Sequence, residues 1–299
     1  MRSVLALPGA AVLAAVLLAP AAAAQPPPDD LEQTIAPDQP VAPERAVLAR
    51  GHVDLGPRHD DGAWRLMVHD DSAAPAVWRA LDRTVLRVPD QAVLPVPDDP
   101  AYSFLGEPGR PVHVLPQTQD PDVPWIGWNT QDPRVIDSVD RGVTLTLTGV
   151  EGPGEVFVYL QAGNFAGADV LWDSTRAERQ DIWVDTNTHT HANWVFTAPG
   201  VYLVRVEVHA DLVDGGRVGD PATLRFAVGD ATDAEAAFAA TPQAPPASRE
   251  PVAGTAAEPE SGSGPAVALG VAAVALALAA GVVVVVVRGR AAKRRGSAG

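Results

Sequence analysis

The chain has 299 residues, no cysteine, and 22 basic against 37 acidic residues, for a net charge of −15. Without cysteine there is no disulfide framework, no thiolate nucleophile and no thiolate metal site. The acidic balance disfavours nucleic acid and anionic lipid as partners.

Met1-Arg2 forms a short positive start, Val4 to Ala19 is apolar, and Ala22-Ala23-Ala24 offers a small-residue cleavage site. Residues 1–24 therefore read as a secretory signal peptide. Residues 25–44 are rich in proline and acid and read as a disordered spacer. A folded domain is expected over 45–230. It is followed by an Ala-, Pro-, Glu-, Ser- and Gly-rich stalk over 231–264. Residues 265–287 carry no charge, and 23 such residues span roughly 30 Å of hydrocarbon as a helix. Arg288, Arg290, Lys293, Arg294 and Arg295 lie in the tail 288–299 and mark its side as cytoplasmic. The expectation is a single-pass membrane protein with its domain outside. That exported part has 16 basic against 37 acidic residues, a net of −21.

Within the domain, Gly51-His-Val-Asp-Leu-Gly56 alternates, so His52 and Asp54 share one face of an extended segment. Trp64, Leu66 and Val68 alternate with Arg65, Met67 and His69, a strand that Asp70-Asp71-Ser72 ends. Pro75 to Asp82 reads as a short helix and Thr84 to Val88 as a strand. The prolines and glycines of 89–111 argue for ordered loop, with Tyr102-Ser-Phe-Leu-Gly106 as a packed anchor. After a short strand at Val112 to Leu115, Gln117, Trp125 and Trp128 fall in one loop. The two indoles read either as core plugs or as a binding wall. Strands follow at Val143 to Thr148, Glu155 to Gln161, Val170 to Trp172, Ile182 to Val184 and Ala222 to Val228. Many short strands between Gly/Pro turns predict an all-β, immunoglobulin-like β-sandwich with long ordered loops, plus one C-terminal transmembrane helix.

The chemistry concentrates in Asp185 to Val204. Read as a strand, this stretch places His189, His191 and Asn193 on one face and Thr190, Ala192, Trp194 and Phe196 on the other. Pro199-Gly200 turns it into a second strand, Val201 to Val208. His-x-His on a strand supplies two Lewis bases, and zinc wants two more, or one and a water. His52 and Asp54 are the distant candidates, giving a nitrogen and oxygen set suited to Zn²⁺ or Mn²⁺. Thr186, Asn187 and Asn193 are placed to orient those ligands by hydrogen bonds. The other reading of the His pair is a solvated or purely structural one. His59, His69, His113 and His209 read as incidental. There is no Gly-x-Ser-x-Gly elbow and no phosphate loop. A zinc hydrolase needs a general base, and no Glu lies near either His motif, so the chain is not expected to be an enzyme.

His189-Thr-His-Ala-Asn-Trp-Val-Phe-Thr-Ala-Pro-Gly-Val-Tyr202, with the Asp214-Gly215 turn and the closing Val228-Gly229, resembles the actinobacterial surface-anchored repeat domain. Gly51-His-Val-Asp-Leu-Gly56, Tyr102-Ser-Phe-Leu-Gly106, Leu115-Pro-Gln117 and Trp125-Ile-Gly-Trp128 resemble the longer choice-of-anchor M version of that domain. The resemblance covers roughly residues 45–230. It implies a neighbourhood beside ABC transporters of the metal-uptake type, with a transporter substrate-binding protein or permease as partner. By motif it points to His52, Asp54, His189, His191 and Asn193. The expected function is a membrane-anchored extracellular domain that captures Zn or Mn as cargo and relays it to an ABC importer. The alternative is a structural or adhesive surface protein that binds a protein or glycan through its Trp loop.

Overall fold

The computed structural model describes residues 35–162 and 167–243. The expected signal peptide, membrane span and basic tail lie outside them, as does most of the stalk. No helix among the described residues is long and apolar enough to cross a membrane.

The described chain is mostly β. In order come β1 (Val41–Ala42), β2 (Ala46–Leu48), β3 (Gly51–Asp60), β4 (Ala63–Asp70), β5 (Val77–Ala80), β6 (Thr84–Val88), β7 (Val93–Pro95), β8 (Pro111–Leu115) and β9 (Pro124–Asn129). A short helix, α1 (Pro133–Ser138), leads to β10 (Val139–Glu151), β11 (Val156–Leu160), β12 (Asp169–Asp173), β13 (Gln180–Asp185), β14 (His189–His191) and β15 (Asn193–Phe196). The long strands β16 (Gly200–Leu212) and β17 (Arg217–Val228) and the helix α2 (Ala234–Ala239) complete the chain.

Three sheets result. The first runs β1-β5-β4-β3-β9-β14, the second β13-β10-β16-β17-β6-β2, and the third β12-β11-β15-β8-β7. One hydrophobic cluster draws on all three: Leu55, Val68 and Ile126 from the first, Val206, Leu224 and Phe226 from the second, and Val158, Trp194 and Phe196 from the third. Trp194 and Phe196 meet Phe226 at centroid separations of 5.8 and 4.8 Å, which ties the third sheet to the second. Each buried aromatic of this kind removes a large apolar area from water, worth about 1.5–3 kcal/mol for a phenylalanine side chain.

The sequence predicts a hairpin closed by Pro199-Gly200, and the structure does not form it. β15 pairs with β8 and β11, whereas β16 pairs with β10 and β17, so the turn carries the chain from one sheet to another. Tyr202 donates its hydroxyl to the Ala198 carbonyl at 2.7 Å and fixes that corner. The segment Pro75 to Asp82 is not a helix either. Val77–Ala80 extends and pairs with β4, because its residues complete that sheet, and only Leu81–Arg83 makes a 3₁₀ turn.

Both domain boundaries move outward. Residues 35–44, expected to be spacer, pack: Ile35 is buried with Met67 and Trp78, and β1 pairs with β5. Residues 231–243, expected to be stalk, include α2, whose Ala237 is buried against Val85 and Ala227. Composition does not reveal these contacts, because each segment docks through a few side chains and backbone hydrogen bonds: Gln39 reaches His69, and Arg45 meets Glu235 and Phe238.

Candidate metal centre

β9 is the axis of the site. It pairs in parallel with β3, setting His52 opposite Trp125 and Asp54 opposite Gly127. On its other edge it pairs antiparallel with β14, setting His191 opposite Gly127 and His189 opposite Asn129. Asp54 and His191 are thus on strands two apart, roughly 9–10 Å between backbones. They meet only because the residue between them has no side chain. A Cβ on Gly127 would lie 2.7 Å from Asp54 Oδ1 and 2.9 Å from His191 Cε1.

Over that glycine, four side chains converge. The His52, His189 and His191 Nε2 atoms lie 3.1, 2.9 and 3.1 Å apart, taken as the 52–189, 52–191 and 189–191 pairs. The Asp54 carboxylate lies 3.3 Å from His52 Nε2, 2.9 Å from His189 Nε2 and 3.6 Å from His191 Nε2. The four residues form a group able to hold a metal ion. The Asp54 side chain is fully buried, those of His189 and His191 are 2% exposed, and that of His52 is 10% exposed.

Electrostatics follow from the crowding. Burial would raise the Asp54 carboxyl, but hydrogen bonds from His189 and His52 outweigh it and hold the group below the usual carboxylate range. Burial would likewise lower the His52 imidazole, yet its hydrogen bonds to Asp54 and Asp71 carry it up to about 9. Burial does dominate at His191, pushed down to about 3. One positive charge belongs here, and either a proton or a cation can supply it.

The surroundings orient the donors. His52 Nδ1 lies 3.2 Å from Asp71 Oδ2, an arrangement that turns Nε2 toward the cluster and, in the neutral ring, leaves its lone pair there. Asp71 Oδ1 lies 3.5 Å from His69 Nδ1, and His69 Nε2 is 2.9 Å from Gln39 Oε1. His191 stacks flat on Trp125, with centroids 3.6 Å apart and planes 9° apart. Trp125 donates its indole N–H to the Gln117 carbonyl at 2.8 Å, and the Gln117 N–H donates to Asn193 Oδ1 at 2.9 Å.

The residues expected to bind are therefore sorted by the fold. His52, Asp54, His189 and His191 come together. Trp125, Gln117 and Asn193 stand behind His191, with Trp125 and Asn193 buried. Asn193 does not share a face with the histidines, because the chain crosses from the first sheet to the third at Ala192. Trp128, three residues after Trp125 on a strand, points to the opposite face and is core. Asn187 is an exposed turn residue with φ of 59°, and its N–H donates to the Thr130 carbonyl at 3.2 Å. It shapes the approach to β14 and lies outside the cluster.

Three contributors escape sequence reasoning. Asp71 reads as a strand end, Gly127 as a spacer between two tryptophans, and His69 as an incidental histidine. Only the pairing of β4 against β3, and of β9 between β3 and β14, reveals them. Comparison of the chain with protein-family models, with curated proteins and with solved structures finds no match.

Proposed function

We propose that this chain is a membrane-displayed, immunoglobulin-like β-sandwich domain that binds one divalent transition-metal ion through His52, Asp54, His189 and His191. The carrying observation is the convergence of four donors within 4.8 Å of one another: the three imidazole Nε2 atoms are 2.9–3.1 Å apart, and the Asp54 carboxylate reaches them at 2.9–3.6 Å through its two oxygens. Bonds of 2.0–2.1 Å in a tetrahedron give edges of about 3.3–3.4 Å, so the three nitrogens and one Asp54 oxygen come into tetrahedral range with small side-chain shifts. Three imidazoles and one carboxylate favour Zn²⁺ over the harder Mn²⁺.

Four protein donors leave no position for a substrate water, which supports binding rather than hydrolysis. The same completeness means that release requires a ligand to move. His52, the least buried donor, is the one to leave first. The resemblance of both His-bearing stretches to surface-anchored repeat domains supports delivery of the ion to a metal-type ABC importer, through its substrate-binding protein or permease. The Tyr202 corner and the aromatic seam between the second and third sheets support the immunoglobulin-like reading.

The test is thermal unfolding of the purified, metal-stripped chain with Zn²⁺ or Mn²⁺ at about 100 times Kd. Linkage gives roughly 2.7 kcal/mol of stabilisation there. The His189→Ala, His191→Ala double variant abolishes it. An unchanged shift in that variant removes the site assignment.

A further inference from the structure

Of the seven tryptophans, six are at most 7% exposed, and the seventh, Trp183, is 53% exposed. It stands on the outer face of the second sheet, on β13, where buried and exposed residues alternate. An indole left in water forfeits a large burial gain, so its placement calls for an explanation. We propose that the face around Trp183 is a saccharide-binding site, independent of the metal centre, that takes a neutral sugar ring.

Three observations carry this. The first is that the indole is pre-set as a platform. Its Nε1 donates to Asp185 Oδ1 at 2.9 Å, and its ring lies against Gly142, where a Cβ would come within 2.6 Å of Trp183 Cζ2. A rigid apolar plate suits the C–H face of a pyranose, which is flat and apolar while its rim is hydroxylated.

The second is local backbone strain. β10 carries a register shift between Val139 and Val143, and inside it Arg141 has φ of 71°, which a non-glycine residue rarely adopts. Bulges re-aim side chains, and held outliers of this kind gather at ligand clamps. Here the bulge turns Asp140 and Arg141 toward the rim of a cavity of about 200 Å³ that Trp183, Thr144 and His209 also line.

The third is charge. Asp140 pairs with Arg141 at 3.6 Å and Asp211 with Arg217 at 2.8 Å, all four on the same rim. Two carboxylates and two guanidiniums cancel, in a domain that is otherwise strongly acidic. With Asp185, held by the indole N–H, the face carries one further carboxylate, and the rim offers both donors and acceptors, which is what a ring of hydroxyls needs. A protein partner fits less well. Trp183 is the one large apolar side chain lining the cavity, whereas a protein interface needs an apolar centre of several.

The purified full-length chain, zinc-loaded, is titrated by indole fluorescence and calorimetry. The probes are maltotriose, cellotriose, mannotriose and laminaritriose, with trigalacturonate and chitosan trimer as charged controls. At least one neutral trisaccharide binds. Trp183→Ala weakens that binding about tenfold or more, Trp183→Phe retains part of it, and metal stoichiometry and circular dichroism are unchanged in both. Absence of binding by every neutral trisaccharide at millimolar concentration overturns the proposal. So does a preference for a charged trimer, or equal binding by Trp183→Ala.

Discussion

One stretch of fourteen residues, His189 to Tyr202, builds two regions with opposite physics. Its first three residues feed the candidate metal centre. After the crossover at Ala192, Trp194, Phe196 and Tyr202 feed the aromatic seam between the second and third sheets. The seam needs no ligand: its rings touch one another at 4.8–5.8 Å and gain chiefly from burial. The centre differs. It buries three imidazoles against one carboxylate, and three Nε2 atoms about 3 Å apart cannot all be satisfied by one another. The contrast separates a region whose stability comes from apolar burial from one built of buried polar groups, whose stability would rise with a bound ion under the proposed function.

The largest expected effect lies in the seam. Trp194→Ala costs roughly 3–5 kcal/mol in denaturant unfolding, by the same amount with and without zinc. A cost that depended on zinc would mean that the two regions are coupled. Next is Gly127→Ala, which adds one methyl between Asp54 and His191. Overpacking costs about 1–3 kcal/mol, and the zinc-dependent part of the stability disappears because the two donors are driven apart. Retained zinc stabilisation in this variant contradicts the convergence over Gly127.

Asp71→Asn is milder. It touches His52 from outside, so zinc affinity falls about tenfold in a competition titration, while the metal-free protein stays folded. An unchanged affinity would reduce Asp71 to a surface group. The pH response is the smallest effect. Carried from 6.5 to about 9, His52 holds a proton in the folded state that the unfolded chain has lost. Its contribution is full below pH 6.5 and fades as pH rises through 9. Zinc needs the neutral imidazole, so its stabilising shift is larger at pH 9 than at pH 6. Equal shifts at both values contradict a proton–metal exchange at His52.

Much of this was legible before any coordinates. Period-2 alternation puts His52 with Asp54 and His189 with His191, and names Trp194 and Phe196 as core. What alternation cannot give is which strands are neighbours. That β9 runs parallel to β3 and lies between it and β14 is a long-range fact, and Gly127 acquires meaning only from it. Asp71 is likewise a turn residue until β4 pairs with β3. Alternation groups Asn193 with the histidines, a rule that holds within one strand and fails where the chain changes sheets. Ile182 to Val184 reads correctly as a strand, but an outward Trp183 is invisible until the sheet has two faces.

The most direct test of the central claim is X-ray absorption at the zinc edge on the zinc-loaded chain. The account predicts four light-atom neighbours at about 2.0–2.1 Å, with the outer-shell scattering of imidazole rings and no sulfur. That scattering is lost in the His189→Ala, His191→Ala variant. A six-coordinate shell of oxygen at longer distance, or a spectrum unchanged by removing both histidines, would contradict it.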